Sequence, residues 1–115
     1  MRKFLYWEKK HKEAASLLQK CKHAVEMVAP GSSVILYGSR ARGDENPESD
    51  YDLLVVLPEC YDVSIAERVR NKLYDIEVEE SVIISVIIKN EKEWESKLYD
   101  ILPLKINILR EGVLA

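Results

Sequence analysis

The stretch Gly38-Ser39-Arg40-Ala41-Arg42-Gly43-Asp44-Glu45-Asn46-Pro47-Glu48-Ser49-Asp50-Tyr51-Asp52 decides how the rest of the chain is read. It follows a short apolar segment, Ser33 to Tyr37, that reads as a strand, and it runs into a second, Tyr51 to Leu57. Gly38-Ser39 is a turn, Arg40 to Arg42 a helical turn, and Asp44 to Ser49 a loop containing Asn, Pro and Ser. Asp50 and Asp52 stand one residue apart at the head of the second strand. Residues i and i+2 of a strand point the same way, roughly 7 Å apart along the backbone. Two carboxylates so presented suit divalent cations, and the Gly-Ser turn offers backbone N–H groups to phosphate. The pattern describes a site for a metal-bound nucleotide.

Outward from this stretch, the chain has 115 residues, which sets the expectation of one domain over residues 1–115. A chain of this size buries roughly two-thirds of its unfolded surface, enough for a core without staples. The net charge of −3 does not favour non-specific nucleic-acid binding, so neither DNA nor RNA is expected as a partner. Lys9, Lys10 and Lys12 read as a solvated helix face. Cys21 and Cys60 lack metal-ligand spacing and read as reduced and structural, in keeping with a cytoplasmic protein. Met1 leads into a charged helical segment rather than a signal peptide. The apolar runs Leu53–Leu57 and Val82–Ile88 are too short to span a membrane.

Ala14, Leu17, Leu18, Cys21, Val25 and Val28 recur at helical spacing, predicting an amphipathic helix over about residues 2–28 that Pro30-Gly31 ends. Tyr51 to Leu57 is continuously apolar apart from Asp52 and is expected inside a sheet. Ser64-x-x-Glu67 has the form of a capping box, opening a helix with Ile65, Val69, Leu73 and Ile76 on one face. Whether Glu77-Val78-Glu79 continues that helix or begins a strand is open. Val82 to Ile88 reads as a buried strand, and Asn90-x-x-Glu93 caps a helix expected through about Tyr99. A last short helix starts near Asp100 to Pro103 and is closed by Gly112. The order predicts a small mixed sheet of three or four strands with helices packed on it.

Nucleotidyl transfer asks for a held triphosphate, neutralised charge, and an attacking hydroxyl in line with the α-phosphorus. Carboxylates suit Mg²⁺, a hard cation that prefers oxygen. Two metals about 3.5–4 Å apart stabilise both the entering and leaving oxygens. Ser39 adds a hydroxyl and an N–H, and Gly38 lets the backbone come close to a phosphate. Arg40 and Arg42 are near enough in sequence to reach phosphates or to pair with the acids. The plain alternatives are a strand-head pair of solvated aspartates and a turn that merely caps a helix.

At this point the sequence resembles a known family. Gly38-Ser39-Arg40-Ala41-Arg42-Gly43 followed by Ser49-Asp50-Tyr51-Asp52-Leu53 is similar to the G-S-x-A-R-G…S-D-x-D-L signature of the minimal nucleotidyltransferases, short relatives of the polymerase-β-like superfamily. Ten residues separate Ser39 from Asp50, as in that family, and the likeness is tightest over about Val34 to Leu57. The resemblance implies an α+β nucleotidyltransferase fold, a small mixed β-sheet flanked by helices. It implies ATP as substrate with Mg²⁺, Asp50 and Asp52 as catalytic metal ligands, and Gly38-Ser39, with Arg40 and Arg42, as the nucleotide-holding segment. Relatives of this size are commonly encoded beside a small helical HEPN-type protein, the pair acting as toxin and antitoxin with AMPylation of the toxin. A HEPN-type protein is therefore the expected partner; a homo-oligomer is left open.

The superfamily usually carries a third carboxylate on a neighbouring strand, and Val82 to Ile88 has no acid. Ser85 is expected at or near that position, with Glu77, Glu79 or Glu80 just upstream as alternative carboxylates. Two functions follow: an enzyme that transfers AMP to a partner hydroxyl, or a catalytically weak nucleotide-binding module that neutralises a partner by occlusion. Transfer to a small molecule is disfavoured by the lack of room for an acceptor domain. Phe4, Tyr6 and Trp7 read as a packing cluster or a partner surface, and Trp94 as core.

Overall fold

The structure, a computed structural model, describes residues 1–44, 46 and 48–115. Two of the residues in the expected loop from Asp44 to Ser49, Glu45 and Pro47, lie outside the described residues. The elements are β1 (Arg2–Lys3), α1 (Phe4–Trp7), α2 (Lys12–Val28), β2 (Ser33–Tyr37), α3 (Ser39–Arg42), β3 (Tyr51–Leu57), α4 (Val63–Glu80), β4 (Ile84–Asn90), α5 (Glu91–Trp94), α6 (Lys97–Asp100), α7 (Pro103–Glu111) and β5 (Val113–Leu114). The sheet order is β1-β5-β2-β3-β4. Strands β5, β2 and β3 run antiparallel to their neighbours in that series, while β1–β5 and β3–β4 are parallel pairs. This is the expected mixed sheet flanked by helices, with β1 and β5 as two short strands the sequence did not announce.

The alternation of side chains along a strand divides the core. Val34 and Leu36 of β2 and Leu53, Val55 and Leu57 of β3 face Leu18, Cys21 and Val25 of α2 and Val69, Leu73 and Ile76 of α4. The other face of the same strands puts Ile35, Leu54 and Val56 against Trp94 and Ile108. Asp52 shares the second face with Leu54 and Val56, so the side of the sheet that carries its carboxylate is the side covered by α5 and α7. Burial pushes the Cys21 thiol up to about 12, which suits a structural cysteine; Cys60 is exposed, and neither is in a disulfide.

Several expectations need correcting. The helix predicted over residues 2–28 is interrupted. Trp7 is buried and donates its indole N–H to the Ala41 carbonyl at 2.9 Å. Arg2 and Lys3 are drawn into the sheet by Val113 and Leu114. These long-range contacts override local helix propensity, and α2 restarts after His11 in a non-helical conformation. The cap of α4 is Asp62, whose carboxylate accepts the N–H groups of Ser64 and Ile65; Ser64 to Glu67 is not a capping box. That helix runs through Glu77 to Glu80 and stops at Ser81, in the left-handed region at φ 55°.

Strand β4 begins at Ile84 rather than Val82 and is half-exposed rather than buried, because it is the edge of the sheet. Asn90 caps as expected, its side-chain oxygen accepting the Glu93 N–H at 2.8 Å. The following helix breaks at Glu95 and Ser96 into α5 and α6. Lys105 of α7 is buried and satisfied: its ammonium donates to the Trp94 carbonyl and to Asp100, and lies over the Trp94 ring.

Candidate nucleotide and metal site

The site lies where β2 gives way to α3 and β3 begins. Tyr37 and Asp52 are cross-strand partners at the close of the β2–β3 ladder, which brings the Gly38 turn against the head of β3. Gly38 has φ 75°, a conformation that favours glycine, and a side chain on it would collide with the Asp52 carboxylate. Glycine is thus required twice at this position: once by the backbone and once by the aspartate lying over it. Gly43, at φ 81°, closes α3 in the left-handed region.

Asp50 and Asp52 are both half-buried, and their charges act on each other. Burial raises the Asp52 pKa above its ordinary value, Asp50 adds to the rise, and Glu111 adds a smaller part; Arg42 acts in the opposite sense. Asp52 is thus an acid whose ionisation is disfavoured by burial and by a neighbouring carboxylate, with a cationic side chain only partly offsetting them, which is the electrostatic condition a divalent cation relieves. Tyr37 is affected too, its pKa raised by burial and by the Asp52 charge.

The structure separates the candidates for a third acid. Ser85 of β4 is the register partner of Asp52, and its hydroxyl donates to Asp50 Oδ2 at 3.4 Å. A hydroxyl, not a carboxylate, occupies the neighbouring-strand position. Glu77 instead accepts the backbone N–H of Ile84, at the start of β4. Glu79 and Glu80 both pair with Lys20 on α2, at 2.7 and 2.8 Å. All three upstream glutamates therefore have structural partners.

Arg40 and Arg42 divide. Arg40 donates from Nε to the Ser49 carbonyl at 3.1 Å and lays its guanidinium 4.5 Å from the Tyr51 ring centroid, bracing the loop that returns to β3. Arg42 pairs with Asp44 at 3.0 Å and with Glu111 at 3.0 Å. Its ion pairs go to these two acids rather than to Asp50 or Asp52.

Glu111 is the residue that sequence reasoning missed. It ends α7, 73 positions from Gly38, yet one carboxylate oxygen accepts the Gly38 N–H at 3.2 Å while the other accepts from Arg42. Its position just before Gly112 was the only local signal. Among the described residues, no three His, Cys, Asp or Glu side chains gather as a ready-made metal cluster. Two carboxylates with a hydroxyl beside them nevertheless fit Mg²⁺ chemically, since that ion keeps several waters or phosphate oxygens and takes only one or two carboxylates. A cleft of about 400 Å³ opens between Lys10, His11, Lys12, Glu13, Arg40, Gly43 and Asp44. Asp50 and Asp52 are not among its walls.

The nucleotidyltransferase domain family model matches residues 15–115, which takes in every element of the site. The chain belongs to the nucleotidyltransferase domain family. In fold, this nucleotidyltransferase is similar to the crystal structure of an inferred nucleotidyltransferase from Sulfolobus solfataricus. The TM-score is 0.55 and the identity 22%, over 92% of this chain and 82% of that one. No curated protein matches the chain significantly. The family match agrees with the motif resemblance and with a mixed sheet flanked by helices.

Proposed function

We propose that this nucleotidyltransferase moves AMP from ATP, with Mg²⁺, onto a hydroxyl of a protein partner, and that the partner is a small helical HEPN-type toxin that it silences. The observation that carries the reading is the placement of the Asp52 carboxylate directly over Gly38, with Asp50 immediately before the same strand. One proposed metal ligand, Asp52, thereby lies against the turn proposed to hold phosphate.

Asp50 and Asp52 would hold the metal, which when bound supplies charge neutralisation to the triphosphate and the leaving pyrophosphate. Gly38 keeps side-chain atoms out of the way, so that a phosphate can lie against the backbone. Ser39 contributes its hydroxyl and N–H at the first position of α3. Arg40 fixes the returning loop through Ser49 and Tyr51, so that Asp50 and Asp52 are presented in a set orientation. The chain is small, and its site lies at the rim of the sheet, which suits an acceptor hydroxyl brought by another protein.

A second reading, occlusion of the partner with little chemistry, is favoured by one observation. Ser85 stands where a third carboxylate would help deprotonate the acceptor, and a neutral hydroxyl is a poor proton acceptor. Co-expression with a neighbouring helical protein, pull-down and intact-mass measurement test both readings. Transfer adds about 329 Da per AMP to the partner, the mass expected from phosphoryl-transfer chemistry. A complex without the adduct supports occlusion. Failure of both the pure chain and its complex to bind ATP with Mg²⁺ or Mn²⁺ in calorimetry refutes the nucleotide site itself.

A further inference from the structure

We propose that Glu111 is a positioning residue of the site, clamping the Gly38–Arg42 turn against the head of β3. Its carboxylate bridges two groups of that turn, the Gly38 N–H at 3.2 Å and the Arg42 guanidinium at 3.0 Å. Gly38 is the residue on which the Asp52 carboxylate rests, so whatever holds the Gly38 backbone also fixes the floor beneath Asp52.

The clamp is itself anchored on both sides. The Gly112 N–H donates to the Ile108 carbonyl at 2.7 Å, and the Gly112 carbonyl accepts from Arg2 at 2.8 Å. Val113 then pairs with Leu36 and Leu114 with Ile35, in the strand that leads into Gly38. Glu111 is thus held between a helix end and a strand, and its side chain is only 13% exposed. A carboxylate this covered, with a charged and a backbone donor both satisfied, has the character of a lock. A gate that lifts on substrate binding would leave a guanidinium and a backbone N–H to be re-satisfied. Two groups that the motif would assign to phosphate are, on this reading, committed to holding the turn.

The test combines two measurements on the whole chain: amide hydrogen exchange at Gly38, and calorimetry with ATP and Mg²⁺. The calorimetric arm rests on the nucleotide reading above; the exchange arm does not. In Glu111→Ala the Gly38 amide is expected to exchange at least tenfold faster, and ATP–Mg²⁺ to bind at least tenfold more weakly. In Glu111→Gln, which keeps an acceptor for Gly38 but loses the Arg42 ion pair, both effects are expected to be partly rescued. Glu111→Gln also serves if the alanine variant fails to fold. Unchanged exchange at Gly38 in the variants overturns the clamp. Unchanged or tighter ATP–Mg²⁺ binding also overturns it, the latter showing that Glu111 competes with the triphosphate. If the wild-type chain binds no nucleotide, the reading of the site fails, and exchange at Gly38 still decides whether Glu111 holds the turn.

Discussion

Asp52 is ionised at a cost to the fold. Its pKa in the folded chain is raised above the ordinary aspartate value, first by burial and then by Asp50, so between those two values the folded state binds more protons than the unfolded one. Its contribution to stability is therefore most favourable at acid pH and is lost as pH rises through the folded pKa. Asp52→Asn is expected to abolish AMP transfer, measured with labelled ATP, while raising the melting temperature at pH 7 without metal. The stabilisation should vanish at acid pH, below the unfolded value. Unchanged transfer would place the chemistry elsewhere, and a lower melting temperature at pH 7 would contradict the electrostatics. Gly38→Ala probes the same contact from the other side. A left-handed backbone and a collision with Asp52 are both imposed, so a loss of about 1–3 kcal/mol in urea unfolding is expected. ATP–Mg²⁺ affinity should fall at least tenfold with it, because the carboxylate must move.

At the scale of elements, the parallel pairing of β3 with β4 sets what the site contains. Register places Ser85 beside Asp52, and that register follows from which residues of β4 face α4 and which face the other way. Ile84, Val86 and Ile88 pack on the core with α2 and α4, which leaves Ser85 and Ile87 on the Asp52 side. If the hydroxyl limits turnover, Ser85→Asp is expected to raise the initial rate of AMP transfer tenfold or more when metal is present. Without metal, a third negative charge beside Asp50 and Asp52 is expected to lower the melting temperature. A rate that does not rise would show that proton removal from the acceptor is not the limiting step. Ser85 is exposed on an edge strand, so the substitution disturbs little packing.

At the scale of the whole molecule, α2 and α4 cover one face of the sheet and α5 to α7 the other, leaving the site at the rim. Among the described residues, no helix is long and apolar enough to cross a membrane. The N-terminal aromatic trio is divided by the fold. Trp7 is buried and bonded to Ala41, Phe4 packs against the core, and Tyr6 is 71% exposed. Of the three aromatics, Tyr6 is the one left exposed to meet the proposed partner. Aromatic anchors carry much of the energy of protein interfaces. Tyr6→Ala is therefore expected to weaken the complex with the helical partner at least tenfold, read by calorimetry, with the melting temperature of the free chain unchanged. An unaffected complex would move the interface elsewhere.

The sequence by itself determined the strand–turn–strand unit from Ser33 to Leu57, the turn at Gly38 and the pairing of Asp50 with Asp52. These depend on side-chain alternation, on backbone freedom and on residues close along the chain. It also marked the core faces of α2 and α4, because helical periodicity is local. What it could not carry were features made by residues far apart. The break after Trp7 comes from an indole reaching the Ala41 carbonyl and from Arg2–Lys3 joining a strand at the other terminus. The half-exposure of β4 follows from its being last in the sheet, a property of strand order that its own β-branched composition does not express. Glu111 belongs to the site because α7 and β5 fold back across β2, and no spacing within the motif points to a residue 73 positions away. Tertiary structure decided these because a contact's energy depends on which surfaces meet in space, and only the assembled sheet brings both ends of the chain to the same turn.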